Sequence, residues 1–161
     1  MGKREDICEW LQEKGVVYEL AEHPPVYTIE EMEKLGLCLR GNVCKNLFLR
    51  DAKGKRHFLV LISREKQADL KQLGERIGVR FSFASEERLA KHLNLAKGSV
   101  TPLGIYYDRK AAVEILVDQD LAGEPRLGVH PCENTATVFL DYRDLERLIR
   151  ENGNRLTVVK L

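Results

Sequence analysis

Three short stretches of this chain hold residue types that chemistry needs. The first, Asn42-Val43-Cys44-Lys45-Asn46-Leu47-Phe48-Leu49, sets a Lys-Asn pair at the head of an apolar run. Lys45 offers a fixed positive charge for a phosphate or ester oxygen. Asn46 offers a donor and an acceptor for an amino group or a water. The second, Gly98-Ser99-Val100-Thr101-Pro102-Leu103-Gly104, is a loop rich in main-chain donors. Gly98 permits close approach and Pro102 stiffens the turn. N–H groups presented this way stabilise a developing oxyanion, and losing one donor typically costs about 3–4 kcal/mol of barrier. The third stretch, from Leu127 to Leu140, carries His130-Pro131 ahead of the β-branched run Thr135-Ala136-Thr137-Val138. An imidazole titrates near neutrality and can serve as acid, base or hydrogen-bond anchor. Each stretch also has a plainer reading: a surface lysine at a strand start, a connecting loop, a structural histidine.

Together the Lys-Asn before a strand, the G-x-x-x-P loop and the His-Pro-x-x-Asn-Thr-Ala-Thr segment resemble the YbaK/ProX family of aminoacyl-tRNA editing domains related to prolyl-tRNA synthetase. The resemblance runs from about His23 to the C-terminus in the same motif order. It implies a free-standing deacylase that hydrolyses mischarged tRNA, with Lys45, Gly98 and His130 at the catalytic centre. It also implies substrate contacts from Asn46, Ser99, Val100, Thr101, Pro102 and Asn134, the last of which, with Thr135, is expected mainly to brace its loop. A wall of Val26, Tyr27, Thr28, Ile29, Met32 and Val129 would select the amino acid, although the same residues suit an ordinary core. In related proteins the substrate's own ribose hydroxyl is thought to assist, so His130 is not assigned as general base.

The stretch from His23-Pro24-Pro25 to Thr28 is most similar to the free-standing deacylases that clear alanine, which implies Ala-tRNA(Pro) as substrate. The alternatives are Cys-tRNA(Pro) or another small amino acid, or a non-catalytic module that binds tRNA or a synthetase. The implied partners are the tRNA 3′ end and a prolyl-tRNA synthetase. Many relatives carry asparagine where Cys132 stands, and Cys44 precedes the lysine. A zinc site from Cys44, Cys132 and His130 is the alternative this raises, but the spacing fits no zinc signature. Nothing in the sequence lowers a thiol pKa, as a cysteine nucleophile would need. No metal or cofactor is expected.

Composition sets the frame for those motifs. At 161 residues, 43% apolar and 32% charged, the chain reads as one globular domain over 1–161. Lys plus Arg number 26 against 25 Asp plus Glu, so any affinity for nucleic acid must come from a local patch. Arg40, Lys45, Arg50, Lys53, Lys55 and Arg56 are candidates, and a solvated Lys-Gly-Lys-Arg turn is the plainer alternative. No apolar run reaches a membrane span and the N-terminus lacks a signal h-region, which makes cytoplasm the expected compartment. The four cysteines show no C-x-x-C spacing and are expected as free thiols.

The elements that must position these residues form an α+β pattern, a central mixed β-sheet with helices packed on its faces. Helices are expected over Lys3 to Lys14, from Thr28 to about Leu35, over Gln67 to Gly78, from Ser85, and over Leu145 to Glu151. Thr28-Ile29-Glu30-Glu31 matches a capping box, and Ser85 and Asp141 suit N-caps. Strands are expected at Val16 to Ala21, Cys44 to Arg50, His57 to Ile62, Arg80 to Phe83, Ala112 to Val117, Leu127 to Val129, Ala136 to Leu140 and Leu156 to Val159. Leu103 to Tyr107 reads as a short apolar element. Gly128 and Pro131 are expected to break the chain before the Thr135 run.

Overall fold

Eight strands and five helices follow from these local signals in the computed structural model, which describes residues 2–161. The strands are β1 (Tyr18–Glu22), β2 (Asn42–Arg50), β3 (His57–Ser63), β4 (Ser82–Phe83), β5 (Val113–Asp118), β6 (Leu127–Val129), β7 (Ala136–Leu140) and β8 (Leu156–Val159). The helices are α1 (Lys3–Glu13), α2 (Ile29–Lys34), α3 (Leu70–Ile77), α4 (Glu86–Leu93) and α5 (Tyr142–Asn152). Two 3-10 turns, Leu37–Leu39 and Pro102–Tyr107, complete the order.

The strands form one mixed sheet in the order β1-β7-β6-β2-β3-β5-β8, with β4 paired to β2 off that path. The β2–β6, β3–β5 and β5–β8 pairs are parallel, and the others antiparallel. Because strand side chains alternate between faces, β3 sends Leu59 and Leu61 into a core with α1, α4 and α5. Its Phe58 and Val60 go to the opposite face, against Leu73 of α3. Val26 and Met32, from the α2 region, cover Val43 and Phe139 on that second face. Helices therefore pack on both faces of the sheet.

Where the boundaries differ from the sequence expectation, capping explains most of the shift. Asp69 accepts from Gln72 N, so α3 begins at Leu70 and not at Gln67. Asp141 accepts from Arg143 N, so α5 starts at Tyr142, a turn before Leu145. In the Thr28 box, Thr28 Oγ1 accepts from Glu31 N, while Glu31 Oε1 reaches Tyr27 N instead of the cap's own amide. Gly128 lies within β6 and pairs with Phe139, so the break falls after Val129, at the turn that holds His130 and Pro131.

Candidate functional site

The sheet parts along one edge of β2. That edge pairs with β6 only at Asn42 and Val43, and with β4 only at Leu49 and Arg50. From Cys44 to Leu47 no strand among the described residues covers it. A cavity of about 500 Å³ occupies this opening, bordered by Val43–Leu47, Gly98, Val100, Gly128–His130 and α2. Three segments distant in sequence thus meet there, and Lys45, Asn46, Gly98 and His130 all line it.

Lys45 projects from β2, and its ammonium donates to the main-chain carbonyl of Lys66. Asn46 follows it, and its side-chain Oδ1 is buried with no hydrogen-bond partner among the described residues. A buried, unpaired acceptor costs about 1–3 kcal/mol. Gly98 adopts φ +91°, and a Cβ there would lie 2.8 Å from Tyr27 Cδ1. Glycine is thus required twice at this position, by backbone geometry and by the Tyr27 ring.

Within the Gly98 loop the amides divide into engaged and available groups. Ser99 N donates to Ala96 O, Leu103 N to Thr101 Oγ1 and Gly104 N to Thr101 O. The amides of Gly98, Val100 and Thr101 donate to no acceptor among the described residues. His130 is anchored from behind, with Nδ1 2.9 Å from Ala136 O. A carbonyl can only accept, so Nδ1 carries the proton and Nε2 keeps the lone pair. Burial pushes the His130 pKa below its ordinary value; the Ala136 carbonyl opposes this and His23 adds to it. The ring is therefore neutral at pH 7.

The apolar wall is present, and it doubles as core. Val26, Met32 and Val129 are buried and border the cavity, joined by Thr28, the half-buried Ile29 and Tyr27, whose residue is 69% exposed at the mouth. Four other expected contact residues stand behind the lining. Thr101 is fully buried, and its Oγ1 donates to His130 O at 2.6 Å. Pro102 is buried at the start of a 3-10 turn, and Ser99 is buried as well. Asn134 Nδ2 donates to Val26 O, and Asn134 O accepts from Val26 N. These residues brace the site; they do not border its space.

The expected basic patch is not continuous. Lys45 and Arg50 lie five residues apart on an extended strand, about 17 Å. Arg40 is paired with Glu19, and Arg56 makes a two-pronged pair with Glu114 at 2.9 Å. Sequence reasoning missed Arg64 and Thr137, which also line the cavity. Thr137 was visible as part of the motif, and its Oγ1 lies 2.9 Å from His23 Nε2. Arg64 follows an apolar strand, and only the antiparallel pairing of Ser63 with Cys44 brings it beside the site.

Neither cysteine near the site is set up for nucleophilic chemistry. Burial pushes the thiols of Cys44 and Cys132 up to about 12. No group of three or more His, Cys, Asp or Glu among the described residues has metal-binding geometry. No helix among them is long and apolar enough to cross a membrane.

Comparisons with known proteins converge on one family. The pattern described as the aminoacyl-tRNA editing domain matches residues 23–148. The chain is 46% identical over 162 residues to the prolyl-tRNA editing protein ProX of Acetoanaerobium sticklandii, covering 100% of this chain and 99% of that one. It is 34% identical over 151 residues to the prolyl-tRNA synthetase associated domain-containing protein 1 of Danio rerio, covering 92% and 82%. A crystal structure described as a candidate trans-editing enzyme for prolyl tRNA synthetase matches with a TM-score of 0.76 at 21% identity, covering 100% and 98%, which is a likeness of fold.

Proposed function

The chain belongs to the aminoacyl-tRNA editing domain family, and from that premise we propose that it is a trans-editing deacylase for mischarged tRNA(Pro), with Ala-tRNA(Pro) as its substrate. The observation that carries the reading is the single cavity where Lys45, Asn46, Gly98 and His130 meet at the opening in the sheet.

Water attacks the ester carbonyl carbon, the carbonyl π pair moves to oxygen, and collapse expels the ribose oxygen, which takes up a proton. Gly98 and Val100 border the cavity with amides that no acceptor among the described residues engages, which supports reading them as the oxyanion donors. Lys45 adds positive charge at the same rim. Asn46 Oδ1, lacking any protein donor, suits the ammonium of the amino acid. His130 presents Nε2 as an acceptor, which can hold a ribose hydroxyl or the water in place. The departing ribose's own hydroxyl moves the proton, so no side chain is required as general base.

Val26, Ile29, Met32 and Val129 give the cavity an apolar wall, which suits an apolar side chain such as that of alanine. Rejecting a near neighbour by one methylene yields only about 10–200-fold, so serine and cysteine are the informative competitors. Incubating the protein with Ala-, Cys-, Ser- and Pro-tRNA(Pro) tests the proposal. Release of alanine fastest supports it, cysteine fastest reassigns the substrate, and binding without turnover of any leaves a tRNA-binding module.

A further inference from the structure

A second cavity, of about 440 Å³, opens beside the first and shares one lining residue with it, Arg64. Arg40, Asn42 and Arg126 also line it. Arg40 and Arg126 are held as a pair: Arg126 Nε donates to Arg40 O at 2.7 Å, and both guanidinium groups engage Glu19. Both also lie over the Phe139 ring, 5.8 and 5.3 Å from its centre. Arg64 differs from them. Its NH1 donates to Asn42 Oδ1 at 2.9 Å, and no carboxylate among the described residues lies within ion-pairing distance. Glu19 offsets one charge of the arginine pair, and Glu65 stands in the wall. Glu30 and Glu33 line the first cavity, so Arg64, at the boundary between the two spaces, is distinguished by having no ion-pair partner among the described residues and not by a net excess of charge.

A guanidinium anchored by a neutral amide and left without an acid keeps the rest of its donor fork for an outside anion. Asn42 is itself fixed, since its amide donates to Arg126 O at 2.7 Å and its residue pairs with Leu127 of β6. The anchor that aims Arg64 is thus part of the sheet. A ribose esterified in the first cavity carries a phosphate on its own C5′, across the ring from the ester, and that phosphodiester links it to the preceding nucleotide. Basic grooves that track a single-stranded backbone are the usual continuation of such a site.

We propose that the second cavity, entered past Arg64, is a phosphodiester subsite for the single-stranded end of the nucleic acid whose terminal residue enters the first. This rests on the reading of the first cavity as the charged-end site. A nucleic-acid backbone is favoured over a free phosphate because the donors continue directly from a neighbouring cavity, the one proposed above for the aminoacyl end of such a ligand.

The test is binding of uncharged tRNA over a salt series, with the Arg64→Gln and Arg64→Lys variants. Arg64→Gln should weaken binding about tenfold near 0.15 M salt and make the log–log salt slope shallower by about 0.7, one single-strand phosphate contact; Arg64→Lys should restore the slope. In hydrolysis, Arg64→Gln should lose about tenfold more in kcat/KM on mischarged tRNA than on the phosphate-free alanyl ester of adenosine. Unaltered tRNA affinity and slope, or equal losses on the two substrates, would overturn the proposal. So would displacement of tRNA by inorganic phosphate at concentrations too low to act through ionic strength. A wild-type protein that hydrolyses neither substrate but keeps the Arg64-dependent slope would refute the deacylase reading and support this one.

Discussion

The ammonium of Lys45 is held by the main-chain carbonyl of Lys66, and the Lys66 side chain is tied in turn to the interior. Lys66 Nζ pairs with Asp118 at 2.9 Å and Asp120 at 2.7 Å and donates to Leu161 O at 3.0 Å. Asp118 is fully buried and also accepts from Ser63 N and Asp120 N. The cation at the cavity rim therefore has its position set by a carboxylate at the end of β5.

Asp118→Ala should destabilise the fold by about 2 kcal/mol, because it strips the buried acceptor shared by the part-buried donors Ser63 N, Asp120 N and Lys66 Nζ. Urea unfolding measures this. Deacylation should fall further than stability alone explains, because the segment carrying the Lys66 carbonyl loses its tether. An activity equal to wild type under conditions where the variant is fully folded would refute the link.

Lys45→Ala should lower the deacylation rate by about 10²-fold, the scale seen when one electrostatic contact to a developing charge is removed. Stability should change by less than about 1 kcal/mol, since the hydrogen bond from its ammonium to Lys66 O is only part-buried. Single-turnover rates on mischarged tRNA, paired with an unfolding curve, separate the two effects.

Gly98→Ala should destabilise by about 1–2 kcal/mol through the left-handed backbone alone. It should also displace the Tyr27 ring that now lies where the new methyl would be. Adding Tyr27→Ala to Gly98→Ala should relieve the steric part and leave the backbone part. Unfolding free energies of the single and double variants check this non-additivity.

Histidine burial predicts the response to acid. Burial, His92 and Arg88 lower the His57 pKa from 6.5 to about 4, and His57 Nε2 accepts from Arg88 NH1 at 2.9 Å. A folded pKa below the unfolded value means that the unfolded chain binds the proton first. The stability is therefore fully present above about pH 6.5 and is lost as pH falls toward 4. His92 and His130 are shifted in the same direction by burial. His57→Phe, whose ring can still stack on Phe48 and His92, should flatten the decline in urea midpoint between pH 7 and pH 5.

Alkylation at pH 8 should modify Cys8 and Cys38, which are half-buried, and spare Cys44 and Cys132 until the chain unfolds. The last two are buried, with thiols pushed up to about 12. Mass spectrometry of native and urea-treated protein reads this directly. Rapid native labelling of Cys132 would reopen a thiol role.

Much of the fold was legible in local signals, because these act within a few residues. β8 coincides with the expected Leu156–Val159, and Ser85, Thr28 and Asp141 each cap as their side chains suggest. Lys45, Gly98 and His130 could be singled out because each sits in a short motif. Arg64 could not: its place depends on β2 pairing with β3 on one edge and with β6 and β4 on the other. Thr101 and Pro102 share the loop of Gly98, yet both are buried behind the lining, where Thr101 Oγ1 donates to His130 O. Periodicity reports which face a residue takes, and long-range strand order decides what that face meets.

The gap along β2 also divides the inheritance of the site. The apolar wall draws on β6 and the segment before and within α2, while the ammonium and the unpaired amide oxygen stand on β2 itself. Substitutions that resize the wall can accumulate on one bank without disturbing charge on the other. The residues that shape the cavity's apolar side and those that carry its β2 charge thus stand on separate segments of the chain.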